Sequence, residues 1–237
     1  LAIKMRYNKS GKKISSSIHR VMIRSAASLS YEDAQSCFEK KINASHFELN
    51  QSVIDQIWDA YQILLLSRDK RQPLELELEE HKVELDESGA VINISTVERL
   101  DAHKLIEEFM IQANVSAAEI LEKYKLQPIY RIHESPSLSR QETLRDFLST
   151  IGIKLAKGSV RANHFNMILQ QAKSKPIEPM INEMVLRSQS QARYSSQNAG
   201  HFGLNLQKYA HFTSPIRRYA DLMVHRALIL GAKLGKG

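Results

Sequence analysis

Apolar and polar positions alternate first in short runs. Residues 1–7, LAIKMRY, lead into the turn composition Asn8-Lys9-Ser10-Gly11, and residues 17–25 alternate in part, so the first 25 residues predict two strands. Ser30 is placed to cap a helix reaching about Lys41, with Glu32 and Asp33 suiting its positive end. A longer helix is predicted from about Asn50 to Arg68, with Val53, Ile57, Trp58, Tyr61, Leu64 and Leu65 at helical spacing; it stops before Pro73. Residues 74–99 read as a hairpin turning at 86–89. Its outer face is strongly acidic, which fits a solvated sheet face, with a protein-interaction surface at 75–87 as the weaker alternative. Asp101 to Tyr124 has the clearest helical period, with Leu105, Ile106, Phe109, Met110, Ala113 and Ala117 on one face. His103, Glu107 and Asn114 fall along the border of that face, and Glu108 is expected to point to solvent. The spacing fits either a surface His–Glu pair or a polar seam facing a polar cavity.

The remaining pattern predicts a short strand over Gln127–His133. Three helices follow: Ser139 to about Ile151, Arg161 to Ala172, and from Pro176 and Pro179 to about Gln191. The last helix is expected to start at Ser214 as N-cap with Pro215 in its first turn. First-turn N–H groups lack intrahelical partners and carry partial positive charge. Arg217 and Arg218 add charge of the same sign, which is favourable only if an anion shares the site, so a phosphate is expected there. There is no internal repeat, and no domain boundary is visible. The chain therefore reads as one α+β unit over residues 1–237, with strands at its N-terminal end and a mainly helical C-terminal half.

Composition narrows the function. At 43% hydrophobic and 25% charged the chain is ordinary globular material, and no apolar run is long enough to span a bilayer. Lys and Arg outnumber Asp and Glu by 33 to 26, giving +7 and a pI near 9.4, which favours an anionic partner. The single cysteine, Cys37, excludes an internal disulfide framework and suits a reducing, cytoplasmic setting. No signal-peptide pattern opens the chain, Leu1 is not an initiator, and Gly-Lys-Gly follows the last helix, so a longer parent protein is expected.

From Met184 to Ala220 there is no Asp or Glu, yet the span holds Arg187, Arg193, Lys208, Arg217 and Arg218. Tyr194, Phe202, Tyr209, Phe212 and Tyr219 lie among them, with His201 and His211. Cations neutralise phosphates and flat rings stack on exposed bases, which suits a single-stranded nucleic acid. Any one ring taken alone fits a core position better. For the segment as a whole, its Gly, Ser and Asn content reads as loop and favours the nucleic-acid reading. Within the final helix Arg217, Arg218, Asp221 and His225 share a face, so Asp221 is expected to hold Arg218 or His225 and to leave Arg217 freer for a phosphate.

GHFGLNLQKYAHFTSPIRRYADLMVHRAL, residues 200–228, resembles the signature near the C-terminal end of the catalytic domain in the ribonuclease II / ribonuclease R family, closer to the ribonuclease R branch. AHKLIEEFMIQANVSAA, LQPIYRIHESP and MIRSAASLSYEDAQ resemble earlier segments of that domain in family order. The resemblance implies a partial RNB-type catalytic domain from a processive 3′→5′ exoribonuclease, a cytoplasmic monomer that hydrolyses single-stranded RNA to nucleoside 5′-monophosphates. It implies that Arg217 is catalytic, stabilising charge on the scissile phosphate, and that Tyr31 and Glu107 grip terminal nucleotides and favour ribose. The basic segment adds Tyr209, His201, Phe202, Ser214 and Arg218 as RNA-binding candidates. The resemblance also implies Mg²⁺ in the parent enzyme, held by an aspartate cluster that lies upstream of the matching segment. Here Asp33, Asp55, Asp59, Asp69, Asp86, Asp101, Asp146 and Asp221 are scattered, so no metal ligand is assigned to this chain. The family's flanking cold-shock and S1 modules are also absent, and the chain by itself is expected to be inactive. The alternative is a non-catalytic RNA-binding relative of the same fold.

Overall fold

The computed structural model describes residues 1–76, 78, 81–158 and 160–235. In chain order the elements are β1 (Ala2–Tyr7), β2 (Lys13–His19), α1 (Tyr31–Phe38), α2 (Gln51–Arg71), β3 (His81–Leu85), β4 (Val91–Thr96) and α3 (Asp101–Lys123). They continue with β5 (Tyr130–Ile132), α4 (Leu138–Thr150), α5 (Ala162–Ala172), α6 (Glu178–Ser188), β6 (Arg193–Ser195) and α7 (Tyr219–Gly231). The mixed α+β architecture, with strands first and helices dominating the second half, agrees with the sequence reading.

The chain divides into two compact units. One comprises residues 1–73, 101–135 and 190–237; the other comprises 74–100 and 136–189. The division is invisible in composition because each unit is assembled from separated segments.

In the first unit α3 is the central element and packs against α1, α2, α7, β1 and β2. Its burial is broader than a one-sided stripe. Ile111, Val115, Ser116 and Ala118 are buried along with Leu105 and Ala117, while Ile106 is 42% exposed. Ala117 and Ala118, both fully buried, let neighbouring backbone approach closely, and Ile18, Leu121, Ile132, Phe212, Val224 and Leu228 complete that core. The start of α1 is fixed by a capping box: Ser30 Oγ accepts from the Asp33 N–H, and the Asp33 carboxylate reaches back to Ser30. Asn50 caps α2 through the Ser52 N–H. On α2 the buried residues are Ile54, Tyr61 and Leu64; Tyr61 and Leu64 lie on the predicted stripe, whereas Val53 and Ile57 at its N-terminal end are more than a third exposed and Ile54 is buried instead. β2 ends at His19, and residues 20–30 have no regular structure, with Met22 and Ile23 exposed. β6 was not foreseen: three polar-edged residues carry no strand period, and it exists because it pairs antiparallel with β5.

In the second unit α6 packs against α4 and α5, burying Leu144, Leu148, Phe165, Ile168, Ile181 and Val185. The β3–β4 hairpin turns where predicted. The Asp86 carboxylate accepts from the N–H groups of Ser88 and Ala90, and Gly89 takes φ +85°, a left-handed conformation that disfavours a side chain. The first strand is shorter than its alternation suggested, and Glu77, Glu79 and Glu80 of the acidic face lie outside the described residues.

Candidate nucleic-acid interface

The largest departure from the sequence reading is at the segment before α7. The helix starts at Tyr219, not at Ser214; Pro215, Ile216 and Arg217 form a turn in which the N–H groups of Arg217 and Arg218 both donate to Ser214 O. Arg218 is extended (φ −128°, ψ 118°), which ends that turn. Asp221, wholly buried in the first turn of α7, explains the geometry. Its carboxylate accepts from Arg218 Nε and Nη2 at 2.8 Å each and from the Ser214 N–H at 2.7 Å. The helix end therefore has its own anion, and Ser214 is a partner of Asp221, not an N-cap open to phosphate. His225 does not pair with Asp221; its Nε2 meets the Phe212 carbonyl at 2.8 Å, with its ring stacked on Phe212 at 4.4 Å.

The same accounting applies to the whole basic segment. Four of its five cations find acids: Arg187 with Glu183, Arg193 with Glu134, Lys208 with Glu122 and Arg218 with Asp221. Arg217 is exposed and makes no side-chain ion pair or hydrogen bond among the described residues. Its rings also divide. Phe212 and Tyr209 are buried and serve the core, while Tyr194 and Tyr219 are 42% and 72% exposed.

A cavity of about 370 Å³ brings together Tyr31, Glu107, Tyr209 and Arg218 with His103 and Asn114. The seam His103–Glu107–Asn114 thus lines one cavity, whose lining is more apolar than polar, rather than forming an isolated surface pair. Asn114 is the hinge pin of its wall: buried to 2% exposure, it donates through Nδ2 to the Tyr209 hydroxyl at 3.1 Å and accepts the Phe212 N–H at 2.8 Å. One amide on α3 thereby ties down both ends of the 209–212 loop. Burial raises the Tyr209 phenol pKa, so it stays neutral. Met110, from the predicted apolar face of α3, and Leu204, which the sequence does not single out, supply apolar wall.

Glu108 is a correction. It is 2% exposed and takes a forked pair from Arg71 at 3.0 and 3.1 Å, plus the Gln112 side-chain amide at 2.8 Å. Helical periodicity places a carboxylate but does not reveal a buried guanidinium arriving from another helix, which is why solvent looked the natural destination.

His201 and Phe202 lie elsewhere, on a second cavity of about 560 Å³ with His133, Asn198, Asn205 and Gln207. His201 meets Tyr209 edge to face at 5.2 Å, so the two sites share a wall. His133 Nδ1 accepts the Gly203 N–H at 3.0 Å; a Cβ on Gly203 would sit 3.0 Å from the same nitrogen, which explains glycine there. His201 Nδ1 accepts the Leu204 N–H at 3.1 Å. Arg217 and Ser214 line neither cavity.

Burial, then the neighbouring His133 and the positive Arg131, lowers His201 to about 3; burial, then Arg218, lowers His211 to about 4. Unfolded histidine titrates near 6.5, so below that pH the unfolded chain takes up protons that these folded imidazoles refuse. Stability is therefore expected to fall as pH drops from about 6.5 toward about 4. Urea midpoints measured at successive pH values check this, and His201→Phe should flatten the slope; a midpoint unchanged between pH 7 and 5 contradicts it.

Among the described residues no three His, Cys, Asp or Glu side chains come together to hold a metal ion, so the divalent ion that the resemblance implies does not fit this residue set. Among them, too, no helix is long and apolar enough to cross a membrane.

A family model described as the RNB domain matches residues 1–232. Ribonuclease R of Vibrio parahaemolyticus serotype O3:K6 is 38% identical over 231 residues, covering 96% of this chain and 28% of that protein. Ribonuclease R of Thermotoga maritima is 36% identical over 233 residues, covering 97% of this chain and 33% of that protein. The structure of Mycoplasma genitalium RNase R in complex with ribose methylated single-stranded RNA superposes with a TM-score of 0.87 at 26% identity, over 95% of this chain and 36% of that one. The chain thus spans about a third of the length of these relatives, or less.

Proposed function

Because the chain belongs to the RNB-domain family, we propose that it supplies the RNA grip and a phosphate-stabilising arginine of a 3′→5′ exoribonuclease that hydrolyses single-stranded RNA to nucleoside 5′-monophosphates. The observation that carries this is the cavity between α1, α3 and the 209–218 segment. It places an exposed ring (Tyr31), a carboxylate (Glu107) and an arginine (Arg218) around one space of nucleotide scale. A ring stacks on a base, a carboxylate accepts from a ribose hydroxyl, and a guanidinium meets phosphate. Arg218 acts here through Nη1, the guanidinium nitrogen that its fork with Asp221 does not use, and the neighbouring exposed Arg217 is the group that stabilises charge developing on the scissile phosphate.

The test is degradation of a labelled single-stranded oligoribonucleotide by the full-length gene product with Mg²⁺, read as release of mononucleotides from the 3′ end. RNA binding without mononucleotide release supports instead a non-catalytic RNA-binding relative of the same fold.

Glu107 carries the sugar prediction. A 2′-hydroxyl can donate to its carboxylate and a deoxyribose has no such donor. Glu107→Ala should therefore narrow the preference for RNA over DNA by about tenfold, the worth of one hydrogen bond to a charged group. Paired degradation of matched RNA and DNA oligonucleotides measures it, and an unchanged ratio removes Glu107 from ribose recognition.

A further inference from the structure

Tyr31 is the first residue of α1, held there by the Ser30–Asp33 capping box. One helical turn on, Gln35 Oε1 accepts the Ala102 N–H at 2.9 Å, which ties α1 to the start of α3. The next residue of α3, His103, lays its ring against Tyr31 with centroids 4.0 Å apart and 24° between planes. That is a nearly parallel stack covering one face of Tyr31. Tyr31 as a residue is nonetheless 43% exposed, and both it and His103 line the cavity, which leaves the ring's other face for a ligand.

The stack has a local cost. His103 Nδ1 is buried and has no hydrogen-bond partner among the described residues. Burying a polar atom without a partner is unfavourable, and a merely structural contact on this ring would be made more cheaply by an apolar side chain. His103 also stands one turn before Glu107, so the stack and the carboxylate lie along the same side of α3.

We propose that His103 is a positioning residue for the base: it backs the inner face of Tyr31 so that the outer face is presented flat to one base of single-stranded RNA. This rests on the RNA reading above. A surface tyrosine loses rotamer freedom when it stacks on a ligand, and a ring already clamped between two helices has paid that entropy in folding. The layered order is His103, Tyr31, base. His103 does not touch the RNA.

The test uses the full-length gene product and an oligoribonucleotide carrying 2-aminopurine, whose fluorescence is quenched when the base stacks, placed in turn at the last three 3′ positions. Wild type should quench at one position. His103→Ala should weaken binding about five- to tenfold and abolish that quench, the scale of losing one stacking platform. His103→Phe, which restores a backing ring, should return both to wild type. Urea midpoints for each variant separate lost backing from lost fold, and His103→Gln serves as a second truncation if the alanine variant is unstable. Full quenching in a folded His103→Ala or His103→Gln variant overturns the positioning role while leaving the RNA reading intact. A folded His103→Phe variant as weak as His103→Ala overturns it too. Failure of wild type to bind the oligonucleotide at all overturns both.

Discussion

Arg217→Ala is expected to reduce turnover of single-stranded RNA in the full-length gene product by about 10²- to 10³-fold, the loss typical of removing one preorganised charge-stabilising donor. Binding should fall far less. One phosphate contact to a single strand is worth a slope of about 0.7 in the salt dependence of the affinity, so that slope should shrink by about that amount. The reason lies in the partition between two adjacent arginines. Asp221 draws Arg218 inward with both of its fork nitrogens and takes the Ser214 N–H as well. The turn at 214–217 is thereby pinned, and Arg217 is carried outward at its end with no acid to neutralise it. A charge carried on a pinned turn and left unpaired among the described residues is available to a developing phosphorane. Turnover and equilibrium binding measured side by side decide the matter. Equal losses in both would mean that Arg217 serves binding alone. Arg217→Lys should recover binding and only part of the rate, since a lysine keeps the charge but not the planar fork.

How much of this was readable in the chain depends on where the determining partner sits. Ser30 and Asp33, or Asn50 before α2, are local signals, and the caps form where the sequence puts them. The helix over residues 101–123 was equally plain from its period, and the same arithmetic placed His103, Glu107 and Asn114 on one seam. What failed was everything decided by a residue far away in sequence. Glu108 is buried because Arg71 meets it, 37 positions earlier. β6 is a strand because β5 lies beside it. The basic residues at 193 and 208 are neutralised by Glu134 and Glu122 from other elements, which no local count of acids could anticipate. The beginning of α7 is the subtler case. Ser214-Pro215 is a sound helix start by local chemistry, but a buried carboxylate seven residues on captures the Ser214 N–H and moves the start to Tyr219. The candidate site divided in the same way: Tyr31, Glu107, Tyr209 and Arg218 converge, while His201 and Phe202 line the neighbouring cavity.

Glu108→Ala should be the most damaging single change to the fold, costing about 3–5 kcal/mol. Side-chain exposures of 9% for Arg71 and 3% for Glu108 put both charges out of water, and the pair is forked. Removing one member leaves the other buried and unpaired, which costs more than the pair contributes when intact. The loss spreads further, because Gln112 links Glu108 to the Tyr7 hydroxyl on β1, and the Arg71 carbonyl accepts the Asn205 side chain from the 200–206 loop. At about 2–4 °C per kcal/mol for a unit of this size, thermal unfolding should move down by about 6–20 °C. The double variant Arg71→Met with Glu108→Leu separates the two readings of such a drop. If the cost is that of an orphaned charge, replacing both partners with apolar groups of similar size should recover most of the stability, and the coupling in the double-mutant cycle should be large. If the double variant is as unstable as the sum of the singles, the pair is not acting as a unit. A Glu108→Ala variant within 1 kcal/mol of wild type would show that the guanidinium finds water or another acid, and that α3 does not depend on this clamp to keep Glu107, one residue before it, turned toward the cavity.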